Sequence, residues 1–172
     1  MKITQKIALF GITGLLTVHT TAQTTGNVYQ VVQSSQNHTT LYETIKTTEF
    51  AETLGGKGPY TVFAPTNDAF ALLPPGELER MRTAERKQDL TDMLNYHIVE
   101  GKYDETALRD AIKKGNGEAK LKTVSGGKLT FRVVGDSIVL TDGKGGDSVI
   151  SKTDADASNG VVYIVDNVLM KK

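Results

Sequence analysis

The run Tyr60-Thr61-Val62-Phe63-Ala64-Pro65-Thr66-Asn67-Asp68-Ala69-Phe70 holds a strand, its stop and the start of a helix with no residue between them. Tyr60 to Ala64 is β-branched and aromatic, as a buried strand requires. Pro65 then removes the next ladder hydrogen bond and holds Ala64 extended, so the strand ends there. Thr66 or Asn67 can cap the amides of a following helix, Asp68 places negative charge in its first turn, and Phe70, Leu72 and Leu73 supply its apolar side.

Around this junction the chain divides in character. Asn27 can cap a short helix carrying Val28, Val31 and Val32. Thr40-Leu41-Tyr42-Glu43 has the form of a capping box for a second, broken near Thr47-Thr48 and ending at Gly55-Gly56. Pro74-Pro75-Gly76 marks a turn before a helical turn from Glu77 to Met81. A clearer helix is predicted from Glu85 to Asn95, and Asp104 caps another ending at Lys113-Lys114-Gly115. From Ala119 onward, short alternating runs separated by glycine turns predict successive antiparallel hairpins, at Lys120–Thr123, Lys128–Val134, Ser137–Thr141, Asp147–Ser151 and Val161–Val165. Helices first and strands later, with one early strand, give an α+β domain.

Two further stretches join the opening run: Tyr96-His97-Ile98-Val99-Glu100-Gly101-Lys102-Tyr103, and Ser158-Asn159-Gly160-Val161-Val162-Tyr163-Ile164-Val165-Asp166-Asn167-Val168-Leu169. Together the three resemble the fasciclin (FAS1) domain, as its upstream conserved segment, its Tyr-His segment and its downstream conserved segment, in the family's order. The resemblance spans roughly Gly26 to Met170. It implies a wedge of mostly antiparallel β-strands covered by several short helices. In function it implies a non-enzymatic binding or cell-adhesion module with partners among surface or matrix proteins or polysaccharides.

Met1 to Ala22 reads as a secretory signal, with Lys2 and Lys6 as its basic start, Ile7 to Val18 as its apolar stretch and Thr20-Thr21-Ala22 as a small-residue cleavage site. About a dozen apolar residues, interrupted by Gly11 and Gly14, fall short of the roughly 20 that span a bilayer. Cleavage after Ala22 would release one domain, residues 23–172, to the periplasm or the extracellular space. The chain has no cysteine, so neither a disulfide nor a lipid on a new N-terminal cysteine supports it there. Losing Lys2 and Lys6 and no acid changes the balance from 20 basic against 20 acidic residues to 18 against 20. With no basic run beyond Lys171-Lys172 and no aromatic platform, nucleic acid is an unsuitable partner.

Candidate chemistry is sparse. Tyr96 and His97 could act as acid and base, but they close an amphipathic helix and open an apolar strand. The expectation is therefore a buried, neutral histidine bonded to local backbone. In some animal relatives the Tyr-His segment is linked to integrin attachment. Asp154-Ala155-Asp156-Ala157-Ser158-Asn159-Gly160 imitates a calcium loop, yet Asn159 takes the sixth position, where glycine is needed, and Val165 the twelfth. Asn159-Gly160 reads better as a turn into the last strand. Integrin-binding relatives carry an Asp-Ile pair where this chain has Asp154-Ala155, and usually histidine where it has Tyr163, which cannot titrate near neutral pH. Ser125-Gly126-Gly127-Lys128 has the spacing of an acylating Ser-x-x-Lys pair without the helix that pair requires. Zinc lacks ligands, and Asp142, Asp147, Asp154 and Asp156 read as a solvated acidic rim. Asn37-His38-Thr39 is a formal glycosylation sequon, but the leader looks bacterial and no glycan is expected.

The expected partner surface is Tyr96, His97, Asp154, Asp156 and Asn159, on a monomer with no cofactor, no metal and no catalysis. The competing function is a small-molecule carrier, holding a lipid or metabolite in the apolar wedge beside Tyr60, Phe63, Phe70 and Phe131.

Overall fold

The computed structural model describes residues 26–48 and 50–172, without the side chains of residues 151–155. The expected signal segment lies outside the described residues. The helices are α1 (Val28–Ser34), α2 (Thr39–Lys46), α3 (Phe50–Gly55), α4 (Asn67–Ala71), α5 (Glu77–Met81), α6 (Lys87–Tyr96) and α7 (Glu105–Lys114). The strands are β1 (Tyr60–Pro65), β2 (Ile98–Glu100), β3 (Glu118–Lys122), β4 (Lys128–Val134), β5 (Ser137–Thr141), β6 (Asp147–Ala157) and β7 (Gly160–Val165).

All the strands join one sheet in the order β2-β1-β7-β6-β5-β4-β3. Every pairing is antiparallel except β1 with β7, which run parallel from Tyr60↔Gly160 to Pro65↔Val165. The two ends of the sheet meet: Val99 bridges Thr123, and Val124 N–H donates to Ile98 O at 2.9 Å. The result is a nearly closed α+β wedge with an inside and an outside.

Alternation along β1 and β7 shows how both faces are filled. Phe63, Val161, Tyr163 and Val165 turn into the wedge with Leu108, Leu129, Phe131 and Leu140, while Val62, Ala64 and Val162 turn outward under Val28, Ile45, Leu54 and Leu94 from the helices. Strands buried on both sides must be apolar at nearly every position, which is why these two lack a polar alternation. Phe63 stacks on Tyr163 (centroids 5.7 Å, planes 12° apart) and lies 5.3 Å from Phe131. At Gly160 the parallel approach is so close that a Cβ would lie 2.1 Å from Tyr60 O.

Several local expectations hold. Asn27 caps α1 in a reciprocal box with Gln30, Thr66 caps α4 through Ala69 N–H, and Asp104 caps α7 through Ala107 N–H. Others need correction. The Thr40 box is not used: α2 starts at Thr39, and Thr40 N–H donates to Asn67 Oδ1 at 2.9 Å, so a residue of α4 takes the role expected of a local side chain. Leu72 does not face inward but is 71% exposed, because α4 lasts little more than a turn and ends before it. Ile98–Glu100 is a second early strand, antiparallel to β1. β7 does not simply close a hairpin, since it also pairs in parallel with β1.

The largest departure is β6. It runs to Ala157 instead of Ser151, with register shifts between Ser151 and Thr153 and between Thr153 and Ala155. Those shifts let a stretch with irregular alternation stay paired to an apolar neighbour. The loop expected from Asp154 to Asn159 is therefore mostly strand, with only Ser158-Asn159 turning.

Candidate functional site

Tyr96 and His97 stand where α6 hands over to β2, and neither reaches the surface: Tyr96 is 0% exposed and His97 3%. Met93 O can only accept, so His97 Nδ1–H donates to it at 2.8 Å. Leu169 N–H can only donate, so His97 Nε2 accepts from it at 2.9 Å. The two backbone groups select one neutral tautomer. Burial pushes the His97 pKa down to about 4, against the smaller opposing effects of the Met93 carbonyl and the Asp142 charge. Tyr96 Oη–H donates to Lys128 O at 2.9 Å, and burial raises its pKa. The expectation of a buried neutral histidine holds, and the pair expected in the partner surface lies inside the fold. Its polar atoms join α6 to the segment after β7 and to the start of β4.

Asn159 is likewise a keystone. Its Oδ1 accepts from Val28 N–H at 2.8 Å, and its Nδ2 donates to Leu54 O and Gly56 O, both at 2.8 Å. These bonds tie α1, the end of α3 and the β6–β7 turn together, leaving no amide hydrogen for a partner. Next to it, a Cβ on Gly58 would lie 2.2 Å from Asn159 O.

Asp156 has the opposite character. Its exposed carboxylate meets Lys102 Nζ at 3.0 Å, an ion pair open to solvent on both sides. Asp154 lies on the irregular part of β6, and its side chain is outside the described set. The four expected residues whose side chains are described do not converge: Tyr96 and His97 are buried, Asn159 is half-buried and bonded to backbone, and Asp156 points to solvent.

The acidic rim is also partly committed. Asp142 Oδ1 accepts from Lys144 N–H at 2.9 Å and Gly146 N–H at 2.7 Å, while its Oδ2 accepts from Met170 N–H at 2.8 Å. Asp147 pairs with Arg132 at 2.5 Å and accepts from Thr141 Oγ1–H at 2.7 Å, and the guanidinium holds its carboxyl below the usual carboxylate range. Among the described residues, no group of three or more His, Asp or Glu side chains could hold a metal ion.

The wedge interior leaves little room for a carried ligand. Phe63 and Phe131 are 0% exposed and Phe70 5%, all as core. An apolar void lined by Val32, Ile45, Phe50, Leu94 and His97 measures about 10 Å³, room for one water at most. Tyr163 fills its inward position, with Oη–H donating to Tyr103 O at 2.9 Å.

Sequence reasoning missed Asn67 and His38. Asn67 accepts from Thr39 and Thr40 and donates to Gln36 O at 3.0 Å; His38 Nδ1–H donates to Pro65 O at 3.0 Å. Both brace the strand-to-helix junction from a distance, and only the Thr66-Asn67 pair hinted at it.

Comparison with known proteins agrees with this architecture. The Fasciclin domain family model matches residues 36–171. Protein sll1483 of Synechocystis sp. is 34% identical over 143 residues, 83% of this chain and 72% of that protein. Transforming growth factor-beta-induced protein ig-h3 of Oryctolagus cuniculus is 32% identical over 84% of this chain, which spans only 19% of the relative. Immunogenic protein MPB70 of Mycobacterium bovis is 32% identical over 66% of the chain and 50% of its own length. Among solved structures, a FAS1 domain pair from the insect cell adhesion molecule fasciclin I aligns with a TM-score of 0.59 and 26% identity, covering 76% of this chain and 44% of the pair.

Proposed function

The chain belongs to the fasciclin family, and on that premise we propose that it is an exported, non-enzymatic binding or adhesion module that acts as a monomer on extracellular or periplasmic proteins or polysaccharides. One observation carries the reading: the groups best suited to chemistry are turned inward and satisfied there. His97 has both ring nitrogens bonded to backbone, and Tyr96 has its hydroxyl bonded to Lys128 O. A catalytic base needs a free nitrogen within reach of a substrate. What this domain offers a partner is therefore its surface.

One further fact supports the direction: the solved neighbour is titled a cell adhesion molecule. The carrier reading has less support, because the interior void is water-sized.

The test is saturable capture of separated extracellular proteins and polysaccharides by the immobilised protein, with Asp156→Ala as a first surface variant. Binding at or below tens of micromolar, roughly −6 kcal/mol or better, supports the module. Binding to none of the fractions contradicts it.

A further inference from the structure

Acidic and basic residues balance in this chain at 20 each, but the fold does not spread them evenly. Lys122 and Lys128 are direct partners across the β3–β4 pair, one step beyond the Leu121↔Leu129 pair. Leu129 is buried, so the lysines project to the other, solvent-facing side. Like charges directly opposite each other on an antiparallel pair are unfavourable.

Three more lysines arrive at the same end from elsewhere. Lys144 sits in the β5–β6 turn, and Lys171 and Lys172 follow β7. Short bonds gather these segments. Tyr96 Oη–H reaches Lys128 O, Met170 N–H reaches Asp142 Oδ2 at 2.8 Å, and Lys171 Nζ donates to Ser125 O at 2.8 Å. The position a Cβ would take on Gly143 lies 2.9 Å from Lys172 N and 3.0 Å from Tyr96 Oη. All five lysines are exposed, and none belongs to an ion pair among the described residues.

Among the described residues, no acid in the neighbourhood forms an ion pair with them. Asp142 accepts three backbone amides, Asp147 holds Arg132, and Glu118 holds Lys120 at 2.8 Å. Glu100 shares a surface pocket with Lys122 but makes no ion pair with it. The result is a cluster of unpaired cations around low glycine turns, at Gly126-Gly127 and at Gly143, Gly145 and Gly146.

We propose that Lys122, Lys128, Lys144, Lys171 and Lys172 form the docking face for an acidic polysaccharide. This inference rests on the binding-module reading and names its partner class. The chemistry favours a polymer of spaced carboxylates or sulfates, because several separate point charges meet it and counterions are released along its length. An anionic membrane fits less well: the exposed large apolar side chains, Leu72, Val133, Val134 and Val149, lie on other segments, leaving nothing at this face to insert. Nucleic acid fits less well too, since residues 122–128, 142–146 and 170–172 contain no aromatic side chain, and the half-buried Tyr103 that shares a pocket with Lys122 is one partly covered ring and not an open stacking platform.

The test titrates the protein with polygalacturonate, with neutral dextran and anionic lipid vesicles in parallel, at ~50 mM and ~200 mM salt. The combined variant Lys128→Gln, Lys144→Gln, Lys171→Gln is compared with Lys57→Gln, Lys87→Gln, Lys113→Gln, which removes equal charge from other faces. The expected result is salt-sensitive binding to polygalacturonate alone. The first variant weakens it about tenfold or more and reduces the salt slope by roughly one per lysine, while the second leaves it nearly unchanged. Equal weakening by both variants, preference for vesicles, or no binding at low salt overturns the proposal. If polygalacturonate fails while extracellular proteins are still captured, this face is wrong and the module reading survives; if neither binds, both fall.

Discussion

Tyr96 and Lys128 meet through one hydrogen bond, yet they belong to regions built on opposite terms. On the Tyr96 side, His97, Asn159 and Thr61 are polar residues within or against the core, and each has protein partners: Thr61 Oγ1–H donates to Gly101 O at 2.7 Å and accepts from Tyr103 N–H at 2.9 Å. On the Lys128 side, five exposed lysines form no ion pair among the described residues, and Lys171 Nζ donates to a backbone carbonyl, Ser125 O. Buried polar groups must be satisfied or the fold loses stability; exposed charges carry no such requirement and remain available. The contrast teaches that in this domain polar residues of the characteristic segments hold the wedge shut, while the charged groups left open to a partner stand where no motif marks them.

The strongest way to break that contrast is at the β1–β7 contact. Gly160→Ala drives a methyl group into Tyr60 O and should cost more than about 4 kcal/mol in a urea melt, enough to prevent cooperative folding. A mild effect would mean the parallel pair is loosely held.

The next effect follows from His97. Its folded pKa of about 4 lies below the ordinary histidine value of 6.5, so the unfolded chain binds more protons between these pH values. The neutral form's contribution is fully present above about pH 6.5 and is lost as pH falls toward 4, by ~3 kcal/mol over the window. Denaturant midpoints taken across that range should fall with acid, and His97→Gln should flatten the part due to this residue.

Asn159 and Asp156 sharpen the comparison within three residues of sequence. Asn159→Ala strands Val28 N–H, Leu54 O and Gly56 O and should cost about 2 kcal/mol. Asp156→Ala, at an open ion pair, should leave the urea midpoint unchanged. Equal losses would erase the distinction between keystone and surface.

The smallest change tests an exception to the interior rule. Ser148 Oγ is buried without a hydrogen-bond partner among the described residues, so Ser148→Ala should raise stability by about 1 kcal/mol in the same melts.

How much of this was legible depended on the range of the interactions. The start of β1, the Asn27 and Asp104 caps and a cap at Thr66 or Asn67 are written within a few neighbouring residues, and they read correctly, although β1 runs one residue further, to Pro65. The parallel β1–β7 pair was not legible, because nothing in Val161–Val165 distinguishes a hairpin strand from one that also accepts β1. Asp154 and Asp156 made the end of β6 look like a loop; tertiary pairing and register shifts overrode that pattern. Asn159-Gly160 reads as a turn into the last strand, but the turn is Ser158-Asn159: Gly160 already belongs to β7, where Tyr60 O requires a glycine, and Asn159 is held by three distant backbone groups. The lysine face was invisible for a simpler reason: Lys122 and Lys172 are brought together only when β3 and the segment after β7 reach the same end of the sheet.

The most direct measurement is a ¹⁵N NMR titration of the His97 ring in the folded protein. Its nitrogens should report a neutral ring protonated at Nδ1, unchanged from neutral pH down to about pH 5 and titrating near 4. A ring that titrates near 6.5, or that carries its proton on Nε2 at neutral pH, would contradict the claim that the Tyr-His segment serves the fold and leaves recognition to the surface.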